Sequence, residues 1–447
     1  VDICALHEGD TVSIGGVDMT LQPITKRQEQ LQSQLRTKGS SGWSGLLGLL
    51  ILTLLQMSMF IGFLLNGPAE EYPLYLLGFG SVMVCQWLLF VFYLMIRRSS
   101  FEVETLAFFL CTIGVAAIAT VKPGELGKQS AAMFLGVIMF LVIGWSLRDL
   151  ERAKRVRYLA VLAGVGFLVV TLLFGKEYYG AKNWLVIGGM SLQPSELSKV
   201  CFVYAGASTM DRIMNKRNLI LFIAYSIVIC GLLAIMNDFG TAMIFFCAFL
   251  IIAYLRSGSV GTIALACTAL AFAGVLAIQI APHAMNRFAN WRHIWENPYS
   301  SGYQQTQAIM CIASGGLYGL GPGNGYLQKV FAADSDIVFA TISEEWGLLM
   351  ALQAVLAISV LGLFSMRTSR VSRSSFYCIG GCTAAGILLI QASLNCLGTV
   401  DILPFTGVTF PFLSNGGTSM IGAWGLLAFV KAADTRQNAS FAVRFNK

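Results

Sequence analysis

Long apolar segments constrain this chain more than any other feature of its sequence. A helix needs about 20 apolar residues to cross the hydrocarbon core of a bilayer, and twelve runs of the chain approach that length. Only 12% of the 447 residues are charged, whereas soluble domains carry about a quarter. The sequence therefore predicts an all-α, polytopic integral membrane protein. The predicted spans start near Gly45, Pro73, Phe101, Ala131, Val156, Pro194, Asn218, Phe239, Val260, Ile337, Ser375 and Pro411.

Basic residues between these runs predict the orientation of the chain, because Lys and Arg gather in cytoplasmic loops. The most basic loops fall on alternate gaps, and both ends of the chain are basic too. We therefore expect about twelve transmembrane helices, cytoplasmic termini and one long extracellular loop at about residues 281–336. The runs that start near Asn218 and Phe239 meet at Asn237 and Asp238, so a single broken helix is an alternative there. The basic loops lie at residues 97–98, 148–157, 212–217, 256 and 367–373.

The first forty residues differ from the rest of the chain. Residues 5–24 alternate apolar and polar side chains and carry turn signals near Gly9 and Gly15, which predicts two short strands in a hairpin. A polar, partly helical linker follows. The hairpin resembles the last strands of a forkhead-associated domain, without that domain's phosphate-binding loops. A tail with no function of its own is the alternative.

Two polar segments coincide with predicted helix ends. In NWLVIGGMSLQPSELSKV (residues 183–200), Gln193 precedes Pro194, a residue that is favoured in the first turn of a helix. Glu196 and Lys199 are three residues apart, so they share one face of that helix. They could form a structural ion pair or line a polar cavity, because ionisable residues inside membranes pair and face cavities. Asp238, in MNDFGTAMIF, could be part of a helix-breaking turn or a functional carboxylate.

Two further segments combine acidic and glycine-rich patterns. GYQQTQAIMCIASGGLYGLGPGNG (residues 302–325) places Tyr303 and Gln304 before a glycine-rich run. That run could be a backbone nest for a phosphate or a series of tight turns. In DSDIVFATISEEWGLL (residues 334–349), Asp336 marks the return to the membrane. Glu344 and Glu345 lie about two turns inside the predicted span, where at least one of them needs a cavity or a partner.

The fifth segment is TGVTFPFLSNGGTSMIGAWG, residues 406–425. It predicts an outer loop that leads into a helix, with Ser414, Gly416 and Gly417 at the junction. Small residues further along that helix allow close packing against its neighbours.

These five segments, in this order, resemble the SEDS (shape, elongation, division and sporulation) family of RodA-, FtsW- and SpoVE-like peptidoglycan glycosyltransferases. The resemblance covers roughly residues 101–431. The chain departs from the family's pattern at Asn183, Asn237 and Asn415, where the family has Arg, Pro and Tyr. Family members usually have ten spans, so the resemblance implies that the first two runs are an N-terminal addition. The implied organisation is a cytoplasmic tail (1–40), two additional helices (41–100), a SEDS core (101–435) and a second cytoplasmic tail (436–447).

The resemblance implies glycosyl transfer at the outer face of the bacterial cytoplasmic membrane. Lipid II, a polyprenyl-diphosphate-linked disaccharide pentapeptide, would be polymerised into glycan strands for elongation, division or sporulation, beside a class B penicillin-binding transpeptidase. The family's favoured general base is an aspartate shortly before Gly-Tyr-Gln, and that position is Asn297 here. An amide is not a base, so three readings stay open: Glu296 acts as the substitute base, Asn297 silences the chemistry, or the family's aspartate aligns with a different residue. The substrate-binding residues implied are Gln193, Glu196, Lys199, Asp238, Tyr303, Gln304, Asp336, Glu344, Glu345, Ser414, Gly416 and Gly417.

Two other functions stay open from the sequence. The chain could be a catalytically inactive scaffold or regulator of the transpeptidase, or it could transport a lipid-linked precursor along its intramembrane charged residues. The spread of its basic residues argues against a nucleic-acid partner. A diphosphate calls for positive charge or a divalent cation such as Mg²⁺ or Mn²⁺. His283 and His293 have no third ligand at a suitable spacing, so no metal site is predicted. The basic candidates are Lys176, Lys182, Arg287, Arg292 and Lys329.

Overall fold

The computed structural model contains thirteen α-helices and five short strands among the residues that it describes. Those residues are 9–14, 17–20, 42–178, 180–187, 190–210, 216–261, 264, 267–268, 289–369, 372, 374–436 and 439–442. The helices are α1 (Gly42–Asn66), α2 (Tyr72–Met95), α3 (Glu102–Val121), α4 (Leu126–Leu147), α5 (Leu150–Phe174), α6 (Pro194–Met210), α7 (Lys216–Ile235), α8 (Phe239–Ser257), α9 (Tyr303–Gly315), α10 (Val338–Glu345), α11 (Gly347–Ser369), α12 (Ser375–Thr399) and α13 (Gly417–Ala433). The strands are β1 (Thr11–Ile14), β2 (Val17–Thr20), β3 (Lys176–Tyr178), β4 (Ala181–Ile187) and β5 (Met190–Leu192).

The helices confirm a multi-pass, helical membrane protein. Within the described part of the chain, nine helices are long and apolar enough to cross a membrane. Two more of the predicted runs form the helices α6 and α13, each of 17 residues. The run that starts near Val260 lies mostly outside the described residues. The count of twelve spans therefore stays a prediction, although eleven of the twelve runs contain a helix.

Two details of the predicted spans are corrected by the structure. The runs on either side of Asn237 form two separate helices that pack against each other, so the alternative of one broken helix is wrong. The span predicted from Ile337 is also interrupted. A short helix, α10, ends at Glu345, and Gly347, the first residue of α11, adopts a positive φ of 83°. Glu344 and Glu345 therefore precede the membrane-spanning helix instead of lying two turns inside it.

Polar contacts define two ends of the helix bundle. At the end that we call the loop end, Asn183 of β4 meets Asp238 at the start of α8, and Gln193 meets Thr418 at the start of α13. At the opposite end, which we call the tail end, Tyr377 at the start of α12 donates a hydrogen bond to the Leu147 carbonyl at the end of α4. Residues 289–336 lie at the loop end, because α11 starts there.

The first two helices pack on the rest of the bundle through a buried polar network. Gln56 of α1 donates to Gln86 of α2 and to Thr112 of α3, each at 2.9 Å, and Gln86 donates back to Gln56 at 2.9 Å. Gly78 of α2 also leaves room for Val115 and Leu126. Since a buried amide needs its hydrogen-bond partners, this network fixes the position of the pair against α3.

The strands form two small sheets. β1 and β2 pair as an antiparallel hairpin, which confirms the hairpin predicted from the alternation of residues 5–24. β3, β4 and β5 form a three-stranded antiparallel sheet between α5 and α6, which the helical pattern did not predict. This sheet lies at the loop end, where it brings Asn183 and Gln193 towards the starts of α8 and α13.

Candidate substrate cavity

A polar cavity of about 190 Å³ opens at the loop end of the bundle. It collects residues from four of the five polar segments, although these segments are separated by up to about two hundred residues in the sequence. Three of its side chains are carboxylates, and several others are amides or hydroxyls. We call it the substrate cavity. Its lining residues are Ala181, Asn183, Trp184, Gln193, Glu196, Asn237, Asp238, Thr241, Ile244, Ser335, Asp336, Thr406, Gly407, Val408, Thr409 and Asn415.

Glu196 is both an ion-pair partner and part of the cavity wall. It lies in the first turn of α6, and its Oε2 is 2.6 Å from Lys199 Nζ. Both side chains are almost fully buried, at 7% and 1% exposure. A buried carboxylate is stable only when its charge is compensated. The sequence left open whether these residues form a structural ion pair or line a polar cavity. Both are true here, because the two residues form an ion pair and Glu196 also lines the cavity.

Asp238 begins helix α8 and also faces the cavity. Its Oδ1 accepts a hydrogen bond from the Thr241 backbone N–H at 3.1 Å, which caps the helix. Its Oδ2 accepts a hydrogen bond from Asn183 Nδ2 at 3.1 Å. A carboxylate with both oxygens engaged holds its charge in place. Asp238 is therefore well placed to bind polar groups.

The segment around Asp336 is tied to the loop before α13. Ser414 Oγ donates to the Ser335 carbonyl at 2.7 Å and accepts from the Phe410 N–H at 2.8 Å. Asn395 of α12 donates to the carbonyls of Asp336 and Val408, each at 2.9 Å. These bonds hold the backbone on both sides of the cavity mouth, so Ser414 supports the cavity without lining it.

Asp334 anchors the same segment through a second set of contacts. Lys122, at the end of α3, lies 2.9 Å from Asp334 Oδ1, and Asn415 Nδ2 donates to Oδ2 at 2.7 Å. Gly416 and Gly417 begin α13 just below, where the Gly416 N–H donates to Gln129 at 3.3 Å. These glycines therefore shape the helix start next to the cavity.

Positive charge reaches the substrate cavity only indirectly within the described structure. No lysine or arginine is among the lining residues, but Lys199 lies behind Glu196 and Lys122 behind Asp334. The predicted basic candidates Lys176, Lys182, Arg292 and Lys329 do not line it, and Arg287 and His283 lie outside the described residues. Across the described ranges, no three His, Cys, Asp or Glu side chains form a cluster that could hold a metal ion.

Glu296 and Asn297 lie on a separate, exposed turn of the long loop. Residues Ile294–Glu296 form a single 3₁₀ turn, and His293 Nδ1 lies 2.8 Å from Glu296 Oε1. The Asn297 carbonyl accepts hydrogen bonds from the backbone N–H groups of Ser300 and Gly302. Neither Glu296 nor Asn297 lines the substrate cavity.

This turn is fixed to the connection after α12, which leads into the cavity wall. Trp291 Nε1 donates to the Ile402 carbonyl at 3.1 Å, and the Arg292 N–H donates to Asp401 Oδ1 at 3.1 Å. Gln305 of α9 donates to the Gly398 carbonyl at 2.9 Å. Tyr303 and Gln304, at the start of α9, also lie outside the cavity lining; Gln304 donates to the Phe331 carbonyl at 2.8 Å.

The glycine-rich run encloses the end of α10, and the two residues that follow the run bind a carboxylate of that helix. Glu344 accepts hydrogen bonds from the backbone N–H groups of Tyr326 and Leu327, at 2.7 and 3.0 Å. The N–H groups of Leu320 and Gly321 donate to the carbonyls of Glu344 and Glu345. The run therefore acts as tight turns around an internal anion, and these four amides are not available to a phosphate.

Glu345 has a different environment from Glu344. Its carboxylate accepts a hydrogen bond from Thr120 at the end of α3. Burial raises the pKa of the Glu345 carboxyl to about 7, and hydrogen bonds from Thr120 and from the backbone N–H groups of Gly323 and Gly325 oppose that rise only in part. Both glutamates have the partners that the sequence required, but they lie apart from the substrate cavity.

Two residues that support the substrate cavity were not predicted from the sequence. Asn395 and Gln129 join the cavity segments from inside α12 and α4. A signal was present for Asn395, which is an amide within the apolar run of α12, where a buried polar group needs a partner. Local patterns do not reveal which partner, since those bonds join residues far apart in the sequence.

The family model of cell cycle proteins of the FtsW, RodA and SpoVE type matches residues 105–439. Peptidoglycan glycosyltransferase RodA of Mycobacterium tuberculosis is 29% identical over 325 residues, which cover 68% of this chain and 69% of that protein. A probable peptidoglycan glycosyltransferase FtsW of Nitrosococcus halophilus is 30% identical over 336 residues, which cover 71% of this chain and 86% of that protein.

Solved structures share the fold. A chain of a peptidoglycan synthase complex that coordinates polymerization and crosslinking has a TM-score of 0.63 at 23% identity, covering 74% of this chain and 96% of that chain. The crystal structure of the rod shape determining protein RodA of Thermus thermophilus has a TM-score of 0.53 at 22% identity, covering 74% and 95%.

Proposed function

The chain belongs to the FtsW, RodA and SpoVE family of cell cycle proteins, and from that premise we propose that it is a cell-wall peptidoglycan glycosyltransferase. Its substrate would be lipid II, and its product glycan strands at the outer face of the bacterial cytoplasmic membrane. The observation that carries this proposal is the substrate cavity. Glu196, Asp238 and Asp336 meet there beside amides and hydroxyls, a composition that suits the many hydroxyl donors of a sugar.

The proposed reaction is a displacement at an anomeric carbon. A general base takes the proton of the acceptor hydroxyl, the hydroxyl oxygen attacks the donor sugar, and the polyprenyl diphosphate leaves. Glu196 and Asp238 are engaged by Lys199, Thr241 and Asn183, so in this proposal they orient sugar hydroxyls. Glu296 is the proposed base, because it is exposed and its neighbour His293 can hold one of its oxygens.

A transpeptidase partner is part of this proposal. The family relative with the higher TM-score belongs to a synthase complex that couples polymerization to crosslinking. We propose that this chain likewise works beside a class B penicillin-binding transpeptidase, which would crosslink the strands that it makes.

A second candidate is an inactive scaffold of the same assembly. It is favoured by one observation: Asn297, at the position of the family's aspartate, is a turn residue whose backbone holds the loop. Precursor transport has less support. Of its four proposed charged residues, Glu344 and Glu345 are bound within the glycine-rich run and at Thr120, apart from Glu196 and Lys199.

The test is polymerisation of labelled lipid II by the purified protein, with and without its transpeptidase. Wild type, Glu296→Ala, Asn297→Asp and Asp336→Asn are compared. We expect glycan ladders from the wild type and a fall of about 10²–10⁴-fold in Glu296→Ala, the usual contribution of a general base. Asp336→Asn should chiefly raise KM, because its proposed role is binding.

Ser300→Ala is the matched control, since Ser300 lies on the same exposed turn and should leave activity unchanged. Ladders from Asn297→Asp alone would favour the scaffold, with its chemistry lost at one amide. Folded protein that gives no ladders in any variant would overturn the glycosyltransferase proposal.

A further inference from the structure

A second cavity lies at the tail end of the bundle, opposite the substrate cavity. Its volume is about 300 Å³, at the lower end of the range for small-molecule sites. Five of its seven lining side chains are apolar, the other two are arginines, and none among these described lining residues is acidic. We call it the tail cavity. It is lined by Phe92, Ile96, Arg98, Leu141, Trp145, Arg148 and Phe441.

The two arginines and the apolar residues lie at different depths. Arg98 follows the end of α2 at Met95, and Arg148 is the residue that caps α4 after Leu147. Since a membrane helix ends where the chain leaves the hydrocarbon region, both guanidinium groups lie near the interface. Leu141 and Trp145 precede Arg148 on the same helix face. The apolar lining therefore continues inward from the charged mouth.

The mouth of the tail cavity concentrates positive charge. Burial, and then the nearby charge of Arg148, lower the pKa of the Arg98 guanidinium. A phosphate placed between two guanidinium groups is attracted by both of them. Arginine is also the side chain that binds phosphate oxygens with two parallel hydrogen bonds.

The walls of this cavity are fixed by packing. Phe441 lies against Tyr93 and Phe140, with ring centroids 5.6 and 5.5 Å apart, and it fills the space above Gly144. Arg152 stacks on Trp145, with its Cζ 3.8 Å from the ring centroid. A preformed cavity loses less entropy on binding than one that must be assembled.

We propose that the tail cavity binds a phosphate-bearing lipid of the adjacent leaflet. The phosphate lies between Arg98 and Arg148, and the start of an acyl chain lies along Leu141 and Trp145. Free phosphate offers the same charge but would leave the apolar wall uncovered, whereas basic pockets between membrane helices hold anionic lipid headgroups. The site is independent of the proposed function: Phe92, Ile96, Arg98 and Phe441 lie outside the residues that match the family model.

The experiment is native mass spectrometry of the full-length protein in detergent, titrated with one probe at a time. The probes are phosphatidylglycerol, phosphatidylcholine with the same acyl chains, and inorganic phosphate. We expect one phosphatidylglycerol bound to the wild type at least tenfold more tightly than phosphatidylcholine. Arg148→Gln should weaken that binding about tenfold, and Trp145→Ala should weaken both lipids.

Arg155→Gln is the matched control, because Arg155 is exposed at the same end and does not line the cavity. Thermal unfolding of each variant checks that it is folded, and Arg148→Gln is expected to fold because Arg148 is exposed. Equal weakening in Arg155→Gln and Arg148→Gln, or no weakening in Arg148→Gln, would overturn the proposal. Phosphate that binds as tightly as phosphatidylglycerol would show a free-anion site and overturn the lipid assignment.

Discussion

Three asparagines show how single residues change this site. The resemblance implies that Asn183, Asn415 and Asn297 stand where the family has other residues. In the structure Asn183 donates to Asp238, and Asn415 donates to Asp334. An amide carries no charge, so neither side chain neutralises the aspartate that it contacts. Each amide still holds that aspartate in place by a hydrogen bond. Asn297 instead contributes its backbone to an exposed turn, which is why Glu296 is the residue to test as a base.

The Glu196–Lys199 pair gives a prediction at this scale. Lys199→Met leaves the buried Glu196 without its partner, and we expect it to destabilise the protein by about 3–5 kcal/mol. The double variant Glu196→Gln/Lys199→Met should regain much of that stability, because no buried charge remains, yet lose polymerisation. Thermal unfolding in detergent and the lipid II assay measure the two effects. A double variant as unstable as Lys199→Met would show that the unpaired charge of Glu196 is not what destabilises the single variant.

Among the elements, the glycine-rich run and α10 form one interlocked unit. Leu348 at the start of α11 donates back to the Gly316 carbonyl. Amides of the run bind the backbone at the end of α10, and the Tyr326 amide just after the run binds the Glu344 carboxylate. This arrangement gives the interruption between α10 and α11 a physical cause. The chain must turn at Gly347, with φ at 83°, to pass beside Leu317.

Two glycines of this run test that account. Gly319 and Gly323 both have positive φ, at 83° and 79°, but only at Gly319 would a Cβ collide with backbone, at the Glu345 carbonyl. Gly323→Ala should cost about 1–2 kcal/mol for its backbone conformation. Gly319→Ala should cost clearly more, seen as a larger drop in melting temperature. Equal drops would mean that the run does not pack against α10 as closely as described.

For the whole molecule, the two cavities lie at opposite ends of one bundle. The substrate cavity and the long loop share the loop end, whereas Phe92 of α2 lines the tail cavity. Both α1 and α2 precede the residues that match the family model. The position of α1 and α2 against α3 is set by the buried network of Gln56, Gln86 and Thr112. The tail cavity exists because α2 lies beside α4.

Orientation in the membrane is the prediction at this scale. We expect the loop end to be extracellular, because the described basic residues Arg98, Arg148 and Arg256 lie at the tail end. A Ser300→Cys variant should react with a membrane-impermeant thiol reagent in intact cells, above the level of the wild type. Glu151→Cys, exposed at the tail end, should react only after the cells are permeabilised. Reaction of Glu151→Cys in intact cells would reverse the proposed topology.

The sequence by itself determined that the chain lies in a lipid bilayer, that it is helical and where most of its helices lie. It could do so because the length of an apolar run is a local property. It also indicated the polar segments that matter, since a charge in an apolar run requires a partner. Only the tertiary structure decided which of them meet. Asn183 and Asp238 are brought together by a sheet that no helical pattern predicts, and Lys122 meets Asp334 across 212 residues of sequence. Contacts of that range depend on how all the helices pack at once, so no local spacing encodes them.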